Sequence, residues 1–206
     1  MMLIEGYLTA KALPGTGLDS AFLFSKVLMQ VRNAGLGAYA LSFPQAQEGG
    51  SSAIVAARNR PTLGDILQIF AAQEVIEGAV RLLNGRFADY LEEMRYRPLR
   101  GVMAQQLCFR RLRDEERRPA TIARELRRTM RRIEAGKRSS LSAEELRERQ
   151  RSVRTSDAPY LMVFSHSTQQ SFNIPFRKEV ITAAPVQGVF DSYGFSKEGA
   201  TVPFIP

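Results

Sequence analysis

The sequence predicts an α+β fold, with one mixed domain over residues 1–100 and a second region over residues 101–206. Three observations carry that reading. The first hundred residues alternate between short apolar runs and helical periods. Their order is strand–helix–strand–strand–helix–strand, the ferredoxin-like split unit. From about Arg110 the chain becomes arginine-rich with helical spacing. After Tyr160 two apolar runs flank a polar turn, the pattern of a small antiparallel sheet. With 206 residues, 44% hydrophobic and 24% charged, the chain can bury a core and is neither disordered nor collagen-like.

Each element has a local cause. Gly6 to Leu13 alternate in part (Tyr7, Leu8, Ala10, Ala12) and read as the first strand. Asp19 or Ser20 is placed to cap a helix running to about Asn33, with Gly35 and Gly37 ending it. On that helix Phe24, Val27 and Val31 form the core stripe and Leu28 lies on its flank. Arg32 lies about 40° further round. Ala38 to Phe43 suit a strand stopped by Pro44, Gln45 to Ser52 a loop, and Ala53 to Ala57 another apolar strand. Thr62 or Asp65 reads as the start of a helix carrying Ile66, Leu67, Ile69, Phe70, Val75 and Ile76. Val80 to Tyr90 and Arg95 to Arg97 fit strand or helix equally. Gln105 to Arg113 alternate before the basic stretch. Pro119 suits the first turn of a helix ending at Gly136. Ser142 with Glu145 forms a capping box for a second helix to about Val153. Tyr160 to Phe164 and Phe172 to Phe176 are the two later strands, and Val186 to Pro206 has little helical character.

Charge is concentrated. Twenty-nine Lys and Arg against 21 Asp and Glu give +8. Between Arg110 and Arg138 lie twelve basic and five acidic residues, a local +7, so the rest of the chain is nearly neutral. On a wheel of about 100° per residue, Arg124, Arg127, Arg128 and Arg131 share one side with Arg132 flanking them. Ile122, Ala123, Leu126, Met130 and Ile133 fall opposite. Solvated helix faces mix signs to gain i,i+4 pairs, whereas this one is nearly all positive. That favours a polyanion, nucleic acid above all, over a solvated face or a membrane surface, for which the apolar side is too modest. Arginine also suits fixed recognition, because its planar fork meets phosphates and base edges bidentately.

Several chemistries are excluded. The single cysteine, Cys108, leaves no disulfide framework and no multi-cysteine zinc site. Met1 to Glu5 lack the basic-then-apolar order of a signal peptide and no apolar run spans a bilayer, so no membrane partner and a cytoplasmic location are expected. Gly15-Thr16-Gly17 and Gly35-Leu36-Gly37 are turns rather than a phosphate-binding loop. One histidine, His166, and scattered carboxylates argue against a metal centre, and no cofactor is expected. RNA cleavage by such a chain would use the substrate's own 2′-hydroxyl. That route needs a proton acceptor, donors around the phosphate and in-line geometry. Ser165-His166-Ser167-Thr168 is the densest cluster of suitable groups, although it also reads as an ordinary hairpin turn. In a strand the two serines share a face and His166 points away.

Five stretches, in order, resemble the CRISPR-associated endoribonucleases that process repeat RNA, specifically the small kind of subtype I-F systems. They are Phe24-Ser25-Lys26, Leu41-Ser42-Phe43-Pro44, Leu126 to Arg132, Phe164 to Phe172, and Ser192 to Lys197 followed by Val202-Pro203-Phe204. The resemblance implies a ferredoxin-like domain followed by a region that holds an RNA hairpin. It implies that Arg124, Arg127, Arg128, Arg131 and Arg132 face stem phosphates, that Arg111 and Arg113 read bases near the foot of the stem, and that Phe172 stacks on the terminal base pair. A-form major grooves are narrow, and a short hairpin relieves that constraint at its ends. It also implies support for cleavage from Ser165 and Tyr193. Enzymes of this kind place a histidine on the first helix, where this chain has Leu28. Arg32 is the expected substitute beside Ser165 and Tyr193, with His166 as its rival. The expected partners are CRISPR repeat hairpin RNA and other Cas proteins of an effector complex, in which the protein stays bound to its product. The resemblance extends to variant systems with altered catalytic sets, including the plasmid-borne type IV group. Two other functions compete with cleavage: a non-catalytic hairpin-binding subunit, favoured by loss of the histidine, and a general RNA chaperone or ribosome-associated binder, disfavoured by the ordered C-terminal motifs.

Overall fold

The computed structural model describes residues 3–47, 61–100, 105–112, 127, 129–136, 158–165, 170–182 and 184–205. By compactness the chain divides into Met1–Arg111 with Ala158–Pro206, and Leu112–Asp157. This division does not fall near residue 100: the late strands group with the first hundred residues, and the arginine-rich stretch is separate.

The larger unit opens with β1 (Gly6–Ala12), α1 (Ser20–Asn33), β2 (Ala40–Ser42), β3 (Ile66–Ala71), α2 (Gln73–Phe87) and β4 (Leu91–Glu92). The first sheet runs β2-β3-β1-β4, with β5 (Tyr96–Pro98) also pairing β1. That interleaved antiparallel order is the ferredoxin-like arrangement expected from the element sequence. Asp19 caps α1, its Oδ1 accepting from Phe22 N at 3.1 Å. Gly35, in the left-handed region at φ 62°, donates to Arg32 O and closes the helix.

One expected element is corrected. Residues 66–71 form a strand, not the start of a helix. Periodicity cannot separate a short continuous apolar run from a buried helix turn. Pairing decides it: β3 lies between β1 and β2, with Gly6 opposite Ala71 and Ala40 opposite Phe70. The helix begins only after Ala72, which lacks a capping side chain, and Glu5 Oε2 instead accepts from Gln73 N at 2.8 Å. The expected strand at Ala53–Ala57 lies outside the described residues.

The second sheet runs β7-β8-β6-β9, from β6 (Gln106–Arg111), β7 (Tyr160–Ser165), β8 (Gln170–Ile181) and β9 (Val202–Pro203). β8 is longer than the expected Phe172–Phe176, because two different neighbours extend it. Its first half pairs β7, from Ser165 opposite Gln170 to Tyr160 opposite Pro175. Its second half pairs β6, from Arg111 opposite Phe176 to Gln106 opposite Ile181. Hydrogen bonding therefore carries charged Arg177, Lys178 and Glu179 along as strand.

Aromatic rings join the two sheets. Phe43 lies 6.2 Å from Phe24, 5.3 Å from Phe176 and 6.1 Å from Phe109, and Phe176 lies 5.3 Å from Phe195. All five are buried. Rings at such separations gain edge and offset contacts beyond simple burial. Helix α1 packs on β7 and α2.

In the smaller unit, Arg127 and residues 129–134 are helical. Gly136, at φ 65°, ends the helix as expected. Arg127, Arg131 and Arg132 are exposed. The buried side is centred on Thr129, with Ile133 half-buried, which leaves Met130 at its rim and exposed rather than packed. The expected helix start at Pro119 and the helix from Ser142 lie outside the described residues.

Candidate functional site

The loop after β8 carries the densest chemistry in the larger unit. Asp191 Oδ1 accepts from Tyr193 N at 2.7 Å and from Phe195 N at 3.1 Å, an Asx-type turn. Asp191 N donates to Phe195 O, and Gly194 N to Asp191 O. Gly194 sits at φ 79° against Leu41 and Tyr39, where a Cβ would lie 2.6 Å from Leu41 Cγ. Only glycine tolerates both the conformation and the close approach. The loop is tied to β2 by Leu41 N donating to Gly194 O, to β6 by Ser196 N donating to Phe109 O, and to Tyr39, whose hydroxyl donates to Ser192 O at 3.2 Å. A short loop fixed on this many sides presents Tyr193 in one place.

Two guanidinium groups meet that tyrosine. Arg32, in the last turn of α1, donates from Nη1 to Tyr193 Oη at 2.8 Å, with its Cζ 4.4 Å from the ring centroid. Arg111, the last residue of β6, lies 4.8 Å from the same centroid and 5.8 Å from that of Phe195. Cations within about 6 Å of a ring face are attracted by its quadrupole. Arg111 Nε also forms an ion pair with Asp191 Oδ2. Its N–H finds no aligned acceptor, so charge attraction rather than a linear hydrogen bond holds the pair. Arg32 forms its contact from an exposed position, whereas Tyr193 is buried apart from 9% of its surface.

Burial pushes the Tyr39 phenol well above its ordinary value, with nearby Arg32 opposing and Asp191 and Tyr193 reinforcing the rise. It is a structural donor at neutral pH. Burial likewise raises the Cys108 thiol, although Ser196 partly offsets this. A buried neutral thiol is a poor nucleophile.

The sequence-expected residues divide into three groups. Arg32 and Tyr193 are brought together, and Arg111 joins them. Phe172 lies opposite Val163 on β8 and is 40% exposed, so it is not a core residue. Ser165 ends β7 opposite Gln170. His166, Arg113, Arg124 and Arg128 lie outside the described residues.

The family model for the CRISPR-associated protein (Cas_Csy4) matches residues 7–205. The chain belongs to this family. Cas_Csy4 proteins are the type I-F repeat-processing endoribonucleases, and a general role in CRISPR repeat RNA processing follows for this member. No curated relative matches the chain. Among the described residues no helix is long and apolar enough to cross a membrane.

Within this Cas_Csy4 chain, Leu28 is 2% exposed and packs in the core rather than on its flank. Leu28 is thus an apolar core position, buried on α1 with Phe24, Val27 and Val31. Asp191, Tyr39 and Phe195 were not identified from the sequence as site residues. The Asp-Ser-Tyr-Gly run was the available signal, since an aspartate two residues before a turn residue marks an Asx turn.

Proposed function

We propose that this protein binds the hairpin of CRISPR repeat RNA and cleaves at its 3′ base without metal, then stays on the product as an effector-complex subunit. The observation that supports cleavage most directly is the Arg32–Tyr193 pair at 2.8 Å. In this reading the 2′-hydroxyl attacks the adjacent phosphorus, the 5′-oxygen leaves, and the products are a 2′,3′-cyclic phosphate and a 5′-hydroxyl end. Arginine stays protonated throughout the physiological pH range and is a poor base. Arg32 therefore steadies charge on the phosphorane, while Tyr193, accepting from Arg32, retains its own O–H for a phosphate oxygen. Ser165 aligns the attacking hydroxyl. The 2′-hydroxyl proton passes to solvent and the leaving 5′-oxygen takes one from it; His166 is the rival to Arg32, since an imidazole could carry that proton. Arg124, Arg127, Arg128, Arg131 and Arg132 hold stem phosphates, Arg113 reads the foot of the stem, and Phe172 stacks on the last pair.

Leu28 favours a second reading, a hairpin-binding subunit that does not cut. Incubating the protein with hairpin repeat RNA in EDTA separates the two. One cut at the 3′ base of the stem supports cleavage, and tight binding without a cut supports the subunit. If cutting occurs, Arg32→Ala is expected to slow it by about 10²–10³-fold at unchanged affinity, the usual effect of removing a charge-stabilising donor. Normal cutting by Arg32→Ala with none by His166→Ala would assign the chemistry to His166 instead.

A further inference from the structure

We propose that Asp191 and Arg111 form a clamp that positions the Tyr193 hydroxyl, so that Arg111 serves the cleavage site and not base reading. The inference rests on the cleavage reading above and revises the base-reading role that the resemblance implies for Arg111. Asp191 uses both carboxylate oxygens. Oδ1 holds the backbone of Tyr193 and Phe195, and Oδ2 holds Arg111. Arg111 then lies against the Tyr193 ring, while Arg32 takes the hydroxyl end of the same ring. One carboxylate thus sets where the tyrosine backbone runs and, through a guanidinium, how its ring lies.

Burial keeps the clamp closed. The Asp191 side chain is 13% exposed and that of Arg111 30%. Swinging Arg111 out to a base edge would leave a largely buried carboxylate without its counter-ion, and breaking such a pair is costly. Arg32 differs: it is exposed, and among the contacts described it meets the ring and the phenol oxygen but no carboxylate. Two arginines on one ring therefore divide the work, one positioning it and the other meeting phosphate.

The test uses the full chain labelled with 3-fluorotyrosine, in which Tyr193→Phe assigns one of six tyrosine signals. Asp191→Asn retains an oxygen for the two backbone donors but removes the charge that holds Arg111. Arg111→Lys retains the charge but removes the planar group. Both are expected to shift the Tyr193 fluorine signal without RNA, to slow single-turnover cleavage by roughly 10²-fold, the scale of a small misplacement, and to leave hairpin affinity unchanged. Preference for the parent base pair at the foot of the stem should also persist. An unmoved signal overturns the clamp, as does a moved signal with unchanged cutting. Relaxed base-pair preference in Arg111→Lys overturns it too, because that is the mark of a base reader. A parent protein that binds but never cuts defeats the cleavage reading alone. The fluorine signal then decides the clamp by itself.

Discussion

Arg32 and Arg111 lie against one tyrosine ring in the larger unit, whereas Arg127, Arg131 and Arg132 stand exposed on a helix in the smaller one. The first pair is held by a ring, a phenol oxygen and a carboxylate. The helix arginines stand at helical spacing on an exposed surface. In the proposed function, the same residue type supplies geometry in one region and diffuse attraction in the other. Attraction of the second kind is screened by salt, while contacts inside a packed loop are screened much less.

The largest expected effect tests that contrast on the helix. Arg127→Glu with Arg131→Glu should abolish hairpin binding and leave the melting temperature near that of the parent, because both positions are exposed. If about five phosphates are neutralised, raising salt from 50 to 200 mM should weaken binding by roughly 10²–10³-fold. Single-turnover cutting of RNA already bound should change little over that range. A salt-insensitive affinity would remove the phosphate-wall reading.

A smaller effect tests the loop. Gly194→Ala forces an L residue into φ 79° and sets a methyl against Leu41. Strain of that type costs about 1–3 kcal/mol. Thermal melting should fall, and cutting should fall further than RNA affinity. Equal losses of both would mean that the loop serves folding only.

Phe172→Ala falls on a strand end that is already exposed. Its expected cost is about 1–3 kcal/mol of hairpin affinity, with little change in melting. A large drop in melting temperature with normal affinity would make it a packing residue instead.

The smallest effect concerns Tyr39. Removing its hydroxyl in Tyr39→Phe loses the bond to Ser192 O, about 0.5–1.5 kcal/mol. Burial keeps this phenol protonated in the folded chain at pH values where the unfolded chain, with an ordinary pKa of about 10, has lost the proton. The folded state then binds more protons, so stability falls as pH rises past about 10 and is insensitive to this group below about pH 9. Urea midpoints measured across that range should fall less steeply in Tyr39→Phe than in the parent. Parallel curves would show that Tyr39 does not titrate differently on unfolding.

Local chemistry in the sequence determined α1 from the Asp19 cap to the Gly35 stop, the order of ferredoxin-like elements, and the arginine helix ending at Gly136. Caps, glycines and 3.6-residue spacing act within a few residues, so a linear reading reaches them. Its helical wheel also placed Arg32 one turn beyond Leu28, the arc from which it meets Tyr193. Tertiary structure alone decided that residues 66–71 are strand, because ladders to β1 and β2 settle what an apolar run leaves open. It likewise extended β8 to Ile181 and buried Leu28 among the core side chains. The pairing of Arg32 with Tyr193 spans 161 positions of chain. Contacts of that length depend on which surfaces the sheets and helices bury together, and no local period encodes them.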